Sequence, residues 1–323
     1  MHRRSSIRVS APFGLSHPVA GTLCCALAAI AYTGSSVCMR KVSALGADPA
    51  WATCNKELVT VLLVLPWLLL AMLRRQIPWP PARVLAWIVL MGLFTQLCGN
   101  LWLQWSYGVI GLAVAIAANV GAMLVFSAVL GRVTLGERVS LRSAIATAVL
   151  IVALASLALG AQAAAHSIAP TARPLLVAGA VIAVVAAGFV YAALSATIRH
   201  VVTTTTPLSI VLVTITGMGV LTLGPIGLLR LGPEAIASIP WEQYVWMYAA
   251  GLCNFVGFIS IVKGLQLTPV LHANLVNASQ VAMAAAAGIA LFGEPWNNWL
   301  LAGIALTIAG VMLKDQPPDK TTI

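Results

Sequence analysis

Ten stretches of about 20 mostly apolar residues follow one another along this chain, and no other feature constrains its fold as strongly. They cover roughly residues 18–39, 50–73, 84–105, 108–131, 141–160, 174–197, 207–229, 243–263, 269–292 and 297–313. A helix needs about 20 apolar residues to cross the hydrocarbon core of a bilayer. Lipid offers no partner to a backbone amide, so stretches of this length imply helices, which pair their amides internally. Of the 323 residues, 60% are hydrophobic and only 8% charged, against about 25% charged in a soluble domain. The expected fold class is an all-α integral membrane protein with ten transmembrane helices. The first stretch follows Arg3, Arg4 and Arg8, as the core of a signal peptide would. Its length, and the nine stretches behind it, favour a span.

Ten spans place the connecting segments alternately on two sides. Arg3, Arg4, Arg8, Arg74, Arg75, Arg83, Arg132, Arg138, Arg142, Arg199, Lys263, Lys314 and Lys320 fall on one side. Only Arg40, Lys41, Arg173 and Arg230 fall on the other, and Lys56 lies within a span. The positive-inside rule then puts both termini in the cytoplasm, with a bacterial inner membrane as the expected location. The net charge of +10 reads as basic loops rather than a nucleic-acid surface. The six cysteines form no metal-ligand spacing and read as reduced core residues.

The chain repeats itself. "AYTGSSVCMRKV" from residue 31 resembles "VYAALSATIRHV" from residue 190, pairing Tyr32 with Tyr191 and Arg40 with Arg199. "GLAVAIAANV" with "TLGERVSL" resembles "TPVLHANLVNASQ" with "LFGEPWNN", pairing Asn119 with Asn277 and Glu137 with Glu294. Each half holds five spans. Five is odd, so the second half is expected upside down relative to the first, as two inverted five-helix repeats. The expected division is a cytoplasmic tail at 1–17, a first repeat at 18–160, an external linker at 161–173, a second repeat at 174–313 and a cytoplasmic tail at 314–323. Inverted repeats recur in secondary transporters, whose halves rock about a site near the bilayer midplane.

This architecture, and the "GERVSL" and "GEPWNN" motifs before the last helix of each half, resemble the EamA-type members of the drug/metabolite transporter superfamily. The resemblance covers about residues 18–313. It implies a substrate cavity between the halves, lined by helices 3, 4, 8 and 9 and parts of 1, 2, 6 and 7, with helices 5 and 10 as scaffold. It implies a secondary transporter of small organic metabolites such as amino acids or drugs, more often an exporter, with no ATPase domain. The chain agrees on the last point, since it has no GxxxxGK[ST] motif. The implied partners are a small-molecule solute and the lipid bilayer, as monomer or homodimer, with no cofactor or metal.

Candidate site residues are the polar side chains inside spans, where an unpaired amide costs about a kcal/mol or more. Gln96, Asn100 and Gln104 recur at i, i+4 and i+8, one face about 12 Å long. Asn274, Asn277 and Gln280 step every third residue along span 9, and Asn119 is the repeat mate of Asn277. Each of these amides either lines the cavity or ties helices together, a contact of about 0.6–2 kcal/mol. Tyr32, Tyr191 and Trp102 are aromatic candidates for the same cavity.

Lys56 and Glu57 stand side by side about six residues into span 2. Lys56 is either an interfacial side chain that snorkels or a contact for substrate or a gating carboxylate. The family often carries a basic residue near this point of helix 2. A cation facing the cavity favours substrates with a carboxylate. Glu57, rotated 100° around the helix, need not pair with Lys56. It is a candidate proton site, as is His272. Span 1 contains no acid, so the helix-1 glutamate that small multidrug exporters use for proton coupling has no counterpart. Glu137 and Glu294 precede the fifth helix of each repeat, where the helix N-terminus accounts for them. Pro66 marks a hinge or a static bend in span 2. Gly303 and Gly310, seven apart, suit close packing of span 10.

Two further function classes are open. One is a sensor or scaffold with the same fold and no transport. The other is an intramembrane enzyme, disfavoured by the lack of HExxH, GxSxG or paired intramembrane aspartates.

Overall fold

The computed structural model describes the backbone of residues 17–77, 79–135, 141–168, 173–204, 206–267 and 270–313. Among the described residues the chain is helical, without strands. The elements are α1 (His17–Ala44), α2 (Pro49–Leu73), α3 (Ala82–Phe94), a π-helical segment (Thr95–Asn100), α4 (Leu101–Leu135), α5 (Leu141–Ile168), α6 (Pro174–Thr204), α7 (Leu208–Ala237), α8 (Trp241–Leu267), α9 (Val270–Phe292) and α10 (Asn298–Leu313). Among the described residues, six stretches are long and apolar enough to cross a membrane. Shorter apolar helices cover Ala148–Leu157, Ser279–Phe292 and Asn298–Gly310.

The longest of the six, Ala82–Ser127, has 46 residues. At 1.5 Å per residue it would reach about 70 Å, more than twice the hydrocarbon core. It is broken at Gly111, whose φ of 78° and ψ of 176° lie outside the helical region. Positive φ is open to glycine because it lacks a Cβ. The sequence placed this break between residues 105 and 108. The structure carries the helix on to Ile110 and turns it at one glycine, with no loop.

Every residue from 109 to 122 is buried, so the second part of α4 is the central helix of the bundle. Its "GLAVAIAANVGA" composition explains this: small side chains let neighbouring helices approach closely in lipid. The two halves interleave around it. The helix α1 packs along α8, α4 along α6, and α2 along α7. Large apolar side chains such as Leu62, Trp67 and Leu73 point outward, as lipid-facing surface does.

The helices α5 and α10 pair with each other. Gly303 faces Leu157 and Gly310 faces Leu150, each tight enough that an added methyl group would lie within 2.7 Å of leucine carbon. The matching seven-residue spacings form the close seam expected of a scaffold pair. The helix α2 runs through Pro66 as one continuous element. The six cysteines are free thiols.

Candidate functional site

The position of Lys56 and Glu57 follows from how α2 begins. Asp48 is its N-cap and Pro49 its first residue. The Asp48 carboxylate accepts from the Ala50 amide at 2.9 Å and the Trp51 amide at 3.0 Å. Proline at this position loses no hydrogen bond and brings the right φ. Asp48 also pairs with Arg230 near the far end of α7 at 3.3 Å. Two turns further along, α2 carries Lys56 and Glu57 into the protein interior, where they are only 7% and 1% exposed.

There the two adjacent residues meet. Lys56 Nζ lies 2.8 Å from Glu57 Oε1. Their 100° separation made a pair unnecessary, but the long lysine stem curls round the helix to make one. Asn100 completes the contact from the π-helical segment. Lys56 Nζ donates to Asn100 Oδ1 at 3.2 Å, and Asn100 Nδ2 donates to Glu57 Oε1 at 3.2 Å and to Gln96 Oε1 at 2.9 Å. From α6, the Tyr191 hydroxyl donates to Asn100 Oδ1 at 2.7 Å. Gln96 Nε2 in turn donates to the Ile215 carbonyl of α7 at 3.0 Å. One polar network thus joins α2 and the π segment to α6 and α7, that is, both halves of the chain.

Backbone shape brings these groups together. In the π segment the Leu101 amide reaches the Gln96 carbonyl, five residues back. Gln96 and Asn100, four residues apart, bond each other on this segment. Such segments concentrate at functional sites. The helix α7 approaches through Gly219, where a methyl group would meet Gln96 Cδ at 2.8 Å and Glu57 Cγ at 2.9 Å. The helix α8 approaches through Gly251, close against the Lys56 carbonyl and Val59. Tyr191→Phe removes one hydrogen bond from this network. It is expected to lower stability by about 1 kcal/mol, read as a small drop in the melting temperature of purified protein.

The other amides go elsewhere. The stripe expected over Gln96, Asn100 and Gln104 is split. Gln104 turns to α1, donating to the Met39 carbonyl at 3.0 Å and Ser43 Oγ at 2.8 Å. Asn119 donates to the Val184 carbonyl of α6 at 3.3 Å, tying central helix to neighbour. Gln280 is buried on α9. Asn277 is partly buried, and among the described residues its Oδ1 has no hydrogen-bond partner. Tyr32 packs its ring against Gly257 of α8. Trp102 is exposed. The side chains of His272, Asn274, Glu137 and Arg199 lie outside the described residues. A cavity of about 480 Å³ lined by Trp105, Arg173, Leu175, Leu176 and Gly179 shares no residue with the network.

Glu294 corrects an expectation. It does stabilise a helix N-terminus, but that of the central helix α4 rather than the helix that follows it. The break at Gly111 frees two amides of α4. Leu112 N–H donates to Glu294 Oε1 at 2.7 Å and Ala113 N–H to Oε2 at 3.0 Å. Arg40 of α1 donates to Oε1 at 3.1 Å and lies over the Phe292 ring, 5.1 Å from its centroid. A left-handed residue at Gly293, with φ of 62°, ends α9 and turns Glu294 inward. The carboxylate therefore latches α1, α4 and α9 together, with both charged partners buried. The sequence marked Arg40 and Glu294 as repeat positions, but nothing in it indicated that they touch.

A crystal structure superposes on this fold with a TM-score of 0.59 at 14% identity, covering 91% of this chain and 96% of that one. At that identity the likeness concerns the fold alone. No curated protein matches the sequence. The model of the EamA-like transporter family matches twice, over residues 19–159 and 178–314. The two matches take up each half of a helical, lipid-compatible bundle in turn, and the chain belongs to the EamA-like transporter family, whose members are integral membrane transporters.

Proposed function

We propose that this protein is a secondary transporter of small organic solutes, working by alternating access about the network of Lys56, Glu57, Gln96, Asn100 and Tyr191. The observation that carries this reading is the network itself: a buried ion pair and its amides at the meeting of α2 and the π segment with α6 and α7. Charges inside a membrane protein are costly and sit on functional paths. Here they lie where the two halves of the chain would move against each other. Lys56 offers a cation to a solute carboxylate, and Glu57 is the proton site of this reading.

The membrane arrangement is ten spans in two inverted repeats, 18–160 and 174–313, with 161–173 between them. Dividing the 46-residue stretch at Gly111 and adding the three shorter apolar helices to the other long ones supports that number. The termini are cytoplasmic in a bacterial inner membrane, and the direction is export. With that orientation, Arg40, Leu112 and Glu294 fall at the outer end, and their latch closes it. The solute path then opens from the cytoplasmic side. The protein carries out no bond-making chemistry.

Flux of radiolabelled solutes into and out of liposomes holding the purified protein tests the reading. Asn100→Ala removes up to four hydrogen bonds of the network while leaving Lys56 and Glu57 paired. It is expected to slow flux about tenfold or more, and to lower the melting temperature by more than Tyr191→Phe does, at about 1 kcal/mol per lost bond. No flux of any solute by the wild type would favour a sensor or scaffold. Wild-type flux that Asn100→Ala leaves unchanged would move the site elsewhere.

A further inference from the structure

Away from the network, on the flank of the bundle, the first part of α4 and the start of α6 leave a cavity of about 480 Å³ between them. That volume is in the range of sites that seat small organic ligands. Its walls are Trp105, Leu175, Leu176 and Gly179, with Arg173 as the single charge. Arg173 stands directly before the apolar run with which α6 begins. A basic residue at the edge of such a run sits at the level of the lipid headgroups. Gly179 lies six residues, or about 9 Å, further along the chain. It keeps the inner end open: it has no side chain, and the nearest atom to where one would begin is the edge of the Trp105 ring at 3.7 Å. Leu175 also starts an exposed apolar stripe on α6, continued by Ile182 and Phe189 at every seventh residue. The charge at the mouth is uncompensated. Of the basic residues that the sequence places on this side, Arg40 pairs with Glu294 and Arg230 with Asp48. Arg173 is exposed, and among the described residues no carboxylate pairs with it.

We propose that this cavity binds one anionic phospholipid, with the lipid phosphate on Arg173 and the upper part of an acyl chain between Trp105 and Leu176. A guanidinium donates to two phosphate oxygens at once, which a lysine cannot do with the same geometry. The apolar walls suit a chain and offer nothing to a water-soluble ligand. A choline or ethanolamine headgroup brings a second cation beside the arginine, whereas a glycerol headgroup does not. One basic residue at the membrane surface corresponds to about a fivefold preference for an anionic lipid. The site lies on a seam between the two halves of the chain. Next to Trp105, Ser106 donates to the Ala180 carbonyl of α6 at 3.2 Å. A chain filling the cavity braces α4 against α6 beside that bond.

Binding of this kind does not depend on transport, and it is tested on the purified full-length protein in detergent. The probes are dioleoyl phosphatidylglycerol, dioleoyl phosphatidylcholine and soluble glycerol phosphate. The readout is melting temperature, which a ligand of the native state raises. Phosphatidylglycerol is expected to raise it at about fivefold lower concentration than phosphatidylcholine, and glycerol phosphate to leave it unchanged. Arg173→Gln is expected to bring the two lipids level. Gly179→Leu fills the cavity and keeps the arginine, so a weaker response to both lipids is expected. Equal response of the wild type to the two lipids overturns the proposal. So does a preference that survives Arg173→Gln, which would belong to basic loops elsewhere. Glycerol phosphate acting as well as the lipid, or Gly179→Leu responding like the wild type, removes the acyl chain from the cavity and overturns it too. Arg173 is exposed, so should Gly179→Leu fail to fold, the wild type and Arg173→Gln decide between them.

Discussion

Replacing Glu294 by alanine is expected to cost the folded protein about 3–5 kcal/mol, the range found when one partner of a buried ion pair is removed. Two effects add. Arg40, 5% exposed, is left as an unpaired cation over Phe292. The amides of Leu112 and Ala113, at the buried start of the central helix, lose the only acceptor described for them. Glu294→Gln keeps an acceptor for one amide and removes the charge, so an intermediate loss is expected. Joining Arg40→Met to Glu294→Gln is expected to recover part of it, because no buried charge is then left alone. Melting of the purified variants in detergent checks the order. If Glu294→Ala melts with the wild type, the latch holds nothing.

The second large effect is expected at Lys56 and Glu57, where stability and transport come apart. Each single change, Lys56→Met or Glu57→Leu, leaves one charge buried and is expected to destabilise by about 3–5 kcal/mol. The double change replaces the pair with apolar side chains of similar size. Such replacements are often neutral or stabilising, so the double variant is expected to fold about as well as the wild type. Its flux is nevertheless expected to vanish, because both charged groups of the proposed site are gone. A double-mutant cycle on melting, run beside liposome flux, measures both quantities. Normal flux through the double variant would show that the pair is structural only. A double variant less stable than either single would mean that the surrounding helices depend on the charges.

The amino-acid sequence by itself determined the membrane class, the helical content and the two related halves. These follow from properties that add up locally: the length of an apolar run against the thickness of a bilayer, and the recurrence of short motifs such as "GERVSL" and "GEPWNN". It also singled out the polar residues inside the spans, since a charge or amide within an apolar run stands out wherever it faces. Tertiary structure alone decided which of them meet. Gln96, Asn100 and Gln104 share a spacing, yet Asn100 bonds Gln96 and Glu57 while Gln104 turns to α1. Lys56 and Glu57 share a side of nothing on an ideal helix, yet α7 and α8 close on them through Gly219 and Gly251 and bury them together. Arg40 and Glu294 are 254 residues apart and meet because one glycine breaks α4 and another turns the end of α9. Each of these contacts depends on how far neighbouring helices rotate and how closely they approach. That is settled by packing between segments distant in the chain, which no local pattern encodes.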